Sequence, residues 1–270
     1  MKKRIPFLIT ARLSSVRLPR KLMRELDGTD VVGKVIERAI AAFGKKDVVL
    51  CTSPLAMDDD LVTVSERYGI GVFRGHPEDI LLRLCGACRD LDAIGMVGQT
   101  GENPVFDLDH CLRIRERIAA GKDLVRYSGL PIGCSPYGIS RAALETLLST
   151  KEEEDTGFWG YLLNKPDIFD VEMIEAEEQE RMSEMRLTTD YPEDLELMRA
   201  IFTKLPGMPK VREVLALLER EPELKAINAM RVQADLEDDM KQRLEVFFRD
   251  NADLIRSELA DQRAKYRTVV

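Results

Sequence analysis

The sequence has no apolar run close to the roughly 20 residues that a membrane-spanning helix needs, so we expect no membrane span. It has little cysteine: five residues in a chain of 270, an odd number without framework spacing. This favours reduced thiols over a disulfide-stapled fold. Residues 1–6 lead directly into a strand-like segment without a signal-peptide apolar region. We therefore expect a cytoplasmic protein.

The chain also lacks an excess of positive charge. Its formal net charge is -8, which argues against general nucleic-acid binding, because that binding requires many cations against phosphates. Residues 1–24 nevertheless contain eight lysines and arginines, and the first acid is Glu25. A local site for a small polyanion is one interpretation, and a solvated basic terminus is the other.

Strand-like and helix-like segments alternate along the first hundred residues. The hydrophobic pattern predicts strands at residues 5–10, 47–52, 70–73 and 93–98, and helices at 31–43, 58–68 and 77–88. Such alternation indicates βαβ units. The predicted fold class is therefore α/β, a mostly parallel sheet with helices on both faces.

The second half is less regular, and the sheet is expected to become mixed. The pattern predicts helices at 108–120, 140–148 and 190–205, and strands at 123–127, 137–139, 168–175 and 185–189. Ser140 and Asp190 have the position of helix N-caps, and Pro192 lies in the first turn of the helix that follows Asp190.

Beyond residue 205 the composition changes to helix formers, so we divide the chain into a Rossmann-like α/β domain, 1–205, and a C-terminal helical extension, 206–270. The pattern predicts a helix at 210–219 and then an apolar stripe from Val232 to Leu259, interrupted by a cap-like Asn251. The stripe either packs on the chain's own sheet domain or forms a homodimer contact.

Charged side chains follow three of the predicted strands. The loop after the first strand carries Arg12, Arg17 and Lys21 without the spacing of a P-loop, and these cations could grip a triphosphate. Glu102 and Asp190 follow two later strands. Because ligands bind at the carboxyl ends of parallel strands, the two carboxylates are expected to face the basic loop and hold Mg²⁺. The alternative for Asp190 is a purely structural role as the N-cap of the helix that follows.

Four ordered segments, 11–21, 72–83, 100–104 and 187–195, resemble the cytidylyltransferase family, which includes spore-coat polysaccharide proteins and the CMP-acyl-sugar synthetases. The resemblance extends over about residues 4–228. It implies a GT-A-like nucleotide-diphospho-sugar transferase fold. It also implies Mg²⁺-dependent transfer of a cytidylyl group from CTP to a sugar or sugar acid, with release of pyrophosphate, for surface-glycan synthesis.

The resemblance also implies roles for individual residues. Arg12 and Lys21 would be catalytic and, with Arg17, would hold the triphosphate, while Glu102 and Asp190 would coordinate Mg²⁺. The remaining implied residues are the loop positions Ala11, Ser14 and Ser15, then Arg74, Gly75 and Asp79 near the base and ribose, and Pro131, Gly133 and Trp159 at the acceptor. Trp159 could instead belong to the core.

Two other functions stay open. Asp107-Leu108-Asp109 has the D-x-D spacing of a glycosyltransferase on the same fold. The family usually has Gly at Arg20 and Asp at Glu102, so the chain could instead be a nucleotide-binding or assembly protein with a decayed site. Cys85 and Cys88 have metal or redox spacing, but the sequence has no second C-x-x-C pair, so small thiols on the buried face of a helix are the favoured interpretation.

Overall fold

The structure is a computed structural model that describes residues 4–153 and 156–266. Lys2 and Lys3 of the basic opening segment lie outside the described residues. The strands, in chain order, are β1 Phe7–Thr10, β2 Glu25–Leu26, β3 Thr29–Asp30, β4 Val48–Thr52, β5 Gly71–Arg74, β6 Gly95–Thr100, β7 Leu124–Ser128, β8 Tyr137–Ser140 and β9 Val171–Glu175.

Seven of these strands form one sheet in the order β5-β4-β1-β6-β8-β7-β9, and β2 pairs with β3 in a small hairpin. Within the large sheet β8 runs antiparallel to both of its neighbours, and the other pairs are parallel. β1 and β4 are buried along their whole length, as apolar strands covered on both faces should be. The predicted mixed, mostly parallel α/β sheet is confirmed.

Helices cover both faces of the sheet. Their bounds are α1 Val31–Phe43, α2 Asp59–Tyr68, α3 Ile80–Asp90, α4 Leu108–Ala119, α5 Arg141–Thr150, α6 Trp159–Leu163, α7 Pro192–Lys204, α8 Val211–Arg220, α9 Glu223–Ala226 and α10 Asp238–Tyr266. One apolar core lies under α1, α2, α4, α7, α8 and α9, and the other lies under α3, α5, α6 and α10. The two cores exclude water from both faces of the sheet and hold the strand ends in place.

Local capping explains where two of the helices begin. The carboxylate of Asp30 accepts the amide of Gly33 at 2.8 Å, so α1 starts at Val31 as predicted. The hydroxyl of Ser140 accepts the amide of Ala143 at 3.0 Å, which confirms Ser140 as the N-cap of α5.

The strand predicted at 185–189 is wrong. This segment makes only an isolated bridge to Ile132. The amide of Ile132 donates to the carbonyl of Met185, and the carbonyl of Ile132 accepts the amide of Leu187. The N-cap prediction for Asp190 is also wrong, because α7 begins at Pro192 and the Asp194 carboxylate accepts the amide of Asp190 at 3.0 Å. Asp190 is thereby left free for side-chain contacts.

The C-terminal prediction needs a further correction. Asn251 does not end a helix: its side-chain amide donates to the carbonyl of Phe247 inside the single long helix α10. Val232 lies outside this helix and is 82% exposed, so it does not continue the stripe. Leu244, Phe248, Ile255 and Leu259 are buried in the core that α10 shares with α5. These four residues therefore pack on the chain's own sheet, whereas Leu254 of the predicted stripe is 60% exposed.

No helix in the described parts of the chain combines the length and the apolar character that crossing a membrane would require.

Candidate active site

The central strands bring the basic loop and one of the acids to the same edge of the sheet. β1 lies beside β6 with Thr10 opposite Thr100, so the segments that follow both strands start next to each other. The amide of Gly101 donates to the carbonyl of Thr10 at 2.8 Å and extends this pairing by one residue. The loop with Arg12 and the turn with Glu102 therefore face one cleft, as the strand-end rule predicts.

Lys21 lies between the two predicted metal ligands. Its ammonium is 2.7 Å from Asp190 Oδ1 and 3.7 Å from Glu102 Oε1, and the residue is only 8% exposed. Burial by itself would lower the pKa of Lys21, but Glu102 and Asp190 outweigh burial and the pKa is raised. The two carboxylates thus share one position for a positive charge.

Two arginines fix the Asp190 carboxylate from other directions. Arg17 Nη2 lies 3.1 Å from Oδ1, and the buried Arg186 lies 3.3 Å from Oδ2. Burial would raise the pKa of Asp190, but Lys21, Arg17 and Arg186 lower it below the usual range. The group stays ionised at neutral pH, as a cation ligand must.

A cavity of about 410 Å³ opens above these groups. All six residues predicted for the basic loop contribute to its wall, together with Glu102. The lining residues are Thr10, Ala11, Arg12, Ser14, Ser15, Val16, Arg17, Lys21, Ile80, Arg83, Thr100 and Glu102. The wall combines cations and hydroxyls on one side with a carboxylate on the other, which suits a phosphate chain and its counterion.

The basic loop is held from below by Asp58, whose role the sequence did not reveal. Its carboxylate is fully buried, accepts the backbone amide of Leu13 at 2.7 Å and binds the hydroxyl of Ser53. The sequence pattern explains Asp58 only as an acid at a helix start, because the contact with Leu13 joins residues 45 positions apart. The loop is thus anchored independently of any ligand.

Arg20 adopts a left-handed backbone conformation, with φ 53° and ψ 35°. This conformation favours glycine and costs an L-residue roughly 1–2 kcal/mol. Its guanidinium pairs with Asp60 at the start of α2. The loop therefore keeps the left-handed backbone conformation that glycine adopts freely, although the residue here is arginine.

Arg74, Gly75 and Asp79 do not line the cavity described above. Arg74 contacts Asp59 at 2.7 Å and two backbone carbonyls. Asp79 caps α3 through the amide of Leu82 and forms an ion pair with Lys151 at 2.7 Å. These contacts give Arg74 and Asp79 structural partners beside the cleft.

The predicted acceptor residues lie along the neighbouring part of the same edge. Gly133 has φ 96°, and its carbonyl accepts Gln99 Nε2 at 3.1 Å. Pro131 is buried in the same loop. The Trp159 ring packs against Tyr137 with their centroids 4.4 Å apart and is partly buried against the core, which agrees with the alternative that it is a core residue.

Two of the alternative motifs, and the nearby His76, have structural explanations. Asp107 is buried at the start of α4, whereas Asp109 is exposed and lies 3.4 Å from Lys210, so the D-x-D pair does not converge on one ion. Cys85 and Cys88 are buried in α3, and burial raises the pKa of both thiols. His76 Nδ1 accepts the amide of Asp79 at 2.9 Å.

The sequence and the fold of the chain are similar to those of known proteins. A family model described as cytidylyltransferase matches residues 7–221. The spore coat polysaccharide biosynthesis protein SpsF of Bacillus subtilis is 30% identical over 231 residues, which cover 81% of this chain and 95% of that protein. A solved cytidylyltransferase from Leptospira borgpetersenii is similar with a TM-score of 0.76 at 20% identity, covering 87% of this chain and all of that one. A CMP:2-keto-3-deoxy-manno-octonic acid synthetase complexed with CTP gives a TM-score of 0.58 at 15% identity, over 75% of this chain and all of its own.

Proposed function

Because this chain belongs to the cytidylyltransferase family, we propose that it transfers the cytidylyl group of CTP to a sugar or sugar acid and releases pyrophosphate. The observation that carries the proposal is the position of Lys21, which pairs with Asp190 and lies close to Glu102 at a cleft that Arg12 and Arg17 also line. Such a cleft offers cations to a triphosphate and carboxylates to its counterion.

In the proposed reaction a hydroxyl oxygen of the acceptor sugar attacks the α-phosphorus of CTP and its proton passes to solvent, while the bond from that phosphorus to the bridging oxygen of pyrophosphate breaks. Arg12, Arg17 and Lys21 bind the phosphate oxygens and neutralise the charge that develops on the leaving pyrophosphate. No protein nucleophile is required, since positioning and charge stabilisation supply the catalysis. The loop anchor at Asp58 keeps the cations in place before CTP binds.

Glu102 and Asp190 fit a Mg²⁺ ion in their donor chemistry. Both are carboxylates that already face one cation, the Lys21 ammonium, and Asp190 remains ionised. Mg²⁺ usually takes one or two carboxylates and completes its shell with water and phosphate oxygens. When bound, it would supply further neutralisation of the phosphate charge.

The acceptor would approach from the side of Pro131, Gly133 and Trp159, which lie along the edge next to Glu102. A role in surface-glycan synthesis is supported by the name of the Bacillus relative, a spore coat polysaccharide biosynthesis protein. All five cysteines are unpaired, which supports a reducing, cytoplasmic location.

The direct test incubates the protein with CTP, Mg²⁺ and a panel of acidic and neutral sugars, and measures pyrophosphate and the CMP-linked product by mass spectrometry. We expect both products in equal amounts with at least one acceptor. Nucleoside diphosphate released from a nucleotide sugar without pyrophosphate would instead identify a glycosyltransferase. CTP binding without turnover on any acceptor would identify a decayed site.

A further inference from the structure

A second group of metal-binding side chains lies outside the cleft. Asp107 stands at the start of α4, His110 follows one turn later, and Glu180 belongs to the short turn Glu178–Glu180 after β9. All three are at least nine-tenths buried, and one donor atom of each lies within 4.8 Å of the other two. Residues far apart in sequence thus bring a nitrogen and two carboxylates to one buried point.

The two carboxylates of this cluster are only partly balanced by the buried Arg38, which interacts electrostatically with Asp107. His110 Nε2 is 3.2 Å from Glu180 Oε2, and an imidazole alone does not balance two carboxylates. Arg38 lies nearby, but its guanidinium donates to two backbone carbonyls. Buried charges are ordinarily paired or bound to a metal, so the cluster calls for a cation.

The hydrogen bonding of the cluster is also incomplete. His110 Nδ1 is buried, and no residue in the described ranges is its hydrogen-bond partner. Asp107 Oδ1 accepts the amide of Val211 at 3.0 Å, which leaves the other oxygen of this carboxylate for the cluster. An imidazole nitrogen that is buried without a partner is costly unless a ligand satisfies it.

We propose that Asp107, His110 and Glu180 bind one divalent transition-metal ion, with Zn²⁺ as the best candidate. A histidine nitrogen with two carboxylate oxygens suits Zn²⁺ or Mn²⁺, whereas Mg²⁺ prefers oxygen ligands alone. Zn²⁺ holds its ligands at about 2.0–2.2 Å, and the 3.2 Å between His110 Nε2 and Glu180 Oε2 leaves room for an ion bound to both atoms. Water would take the fourth position. This ion is distinct from the Mg²⁺ proposed for Glu102 and Asp190.

The bound ion would brace the turn that carries Glu102. That turn ends at Asp107, and Asp107 also binds the first residue of α8 through the amide of Val211. An ion at the cluster therefore joins the base of the turn to α4, to α8 and to the segment that contains Glu180. We therefore expect the bound ion to raise the thermal stability of this region.

The test uses the full chain stripped with a chelator, without nucleotide. Zn²⁺ is titrated in, the bound metal is counted after dialysis by mass spectrometry, and Co²⁺ replaces Zn²⁺ for absorption spectra. We expect one Zn²⁺ per chain, a raised melting temperature and Co²⁺ ligand-field bands. The variants His110→Gln and Glu180→Gln should weaken binding at least about 10–100-fold, the loss that even an outer-shell partner causes.

Two control variants separate this cluster from other ligands. His76 is the only other histidine of the chain, and His76→Gln should keep the metal. Asp190→Asn alters the cleft and should also keep it. Wild-type protein that binds no Zn²⁺ would overturn the proposal, as would Zn²⁺ lost with Asp190→Asn but kept with His110→Gln. If a cluster variant fails to fold, the Co²⁺ spectrum of His76→Gln decides, because His110 is then the one histidine left in the sequence. Strong bands of a four-coordinate ion are expected, and their absence refutes the proposed four-coordinate site.

Discussion

Replacing Lys21 with methionine separates the two roles that the structure gives this side chain. The change removes an ammonium 2.7 Å from Asp190 and 3.7 Å from Glu102 while keeping an apolar chain of similar length. Breaking a buried ion pair typically costs 3–5 kcal/mol when the remaining charge has no other partner. Asp190 keeps Arg17 and Arg186, so we expect a smaller loss of about 1–3 kcal/mol in the free energy of unfolding.

The expected loss of activity is larger than the loss of stability would suggest. One preorganised donor to a developing oxyanion contributes a factor of about 10²–10³, or about 2.7–4 kcal/mol. We therefore expect kcat/KM for CTP to fall by that factor for Lys21→Met. The pyrophosphate assay is run at 25 °C with a saturating acceptor, where circular dichroism shows the variant to be folded.

Lys34 provides a matched control. It is 6% exposed and pairs with Asp27 at 2.8 Å, yet it lies on α1 and outside the cavity wall. Lys34→Met should cost similar stability and leave kcat/KM within twofold of the wild type. A folded Lys21→Met enzyme with kcat/KM within threefold of the wild type would refute the reasoning, as would equal losses of activity in both variants.

Three further predictions concern the frame of the site. Gly133→Ala would place a Cβ 2.5 Å from the carbonyl oxygen of Leu187 and should cost about 1–3 kcal/mol or more in urea unfolding; Gly207→Ala, with a similar φ and open space, should cost clearly less, and equal costs would contradict the clash. Asp79→Asn should lower the free energy of unfolding by about 2–4 kcal/mol with KM for CTP unchanged; a tenfold rise of KM at unchanged stability would assign it to the nucleotide. The pKa of Asp190 is lowered from 3.8, so its ionisation stabilises the fold above about pH 4, and this stabilisation is lost as the pH falls through the folded pKa. The difference in unfolding free energy between wild type and Asp190→Asn should therefore shrink in acid, and a difference that grows there would contradict the lowered pKa.

Local periodicity predicted most of the fold because each element carries its own apolar pattern and caps. Residues 31–43 show this directly: the helix spans the predicted range and is capped by Asp30. The segment 185–189 shows the limit, since an apolar alternation forms a strand only if a neighbour pairs with it, and here only Ile132 does so. Asn251 has the composition of a cap but bonds within the helix, which composition cannot distinguish.

The site was predictable where its residues follow strand ends. Lys21, Glu102 and Asp190 were expected at one cleft, and the structure brings their charged atoms together. Asp58 and Arg186 were missed, because their roles rest on contacts that no local pattern encodes. Asp58 supports the loop from 45 residues away, and Arg186 orients Asp190 from a segment that was predicted to be a strand.

The central claim is that the cleft beside β1 and β6 holds the triphosphate of CTP. A crystal structure of the chain with CTP and Mg²⁺ tests it most directly. We predict phosphate oxygens within hydrogen-bond distance of Arg12, Arg17 and Lys21, and one Mg²⁺ between those oxygens and the carboxylates of Glu102 and Asp190. CTP bound at another surface, with the Lys21 ammonium still against Asp190 and no phosphate near it, would contradict the claim.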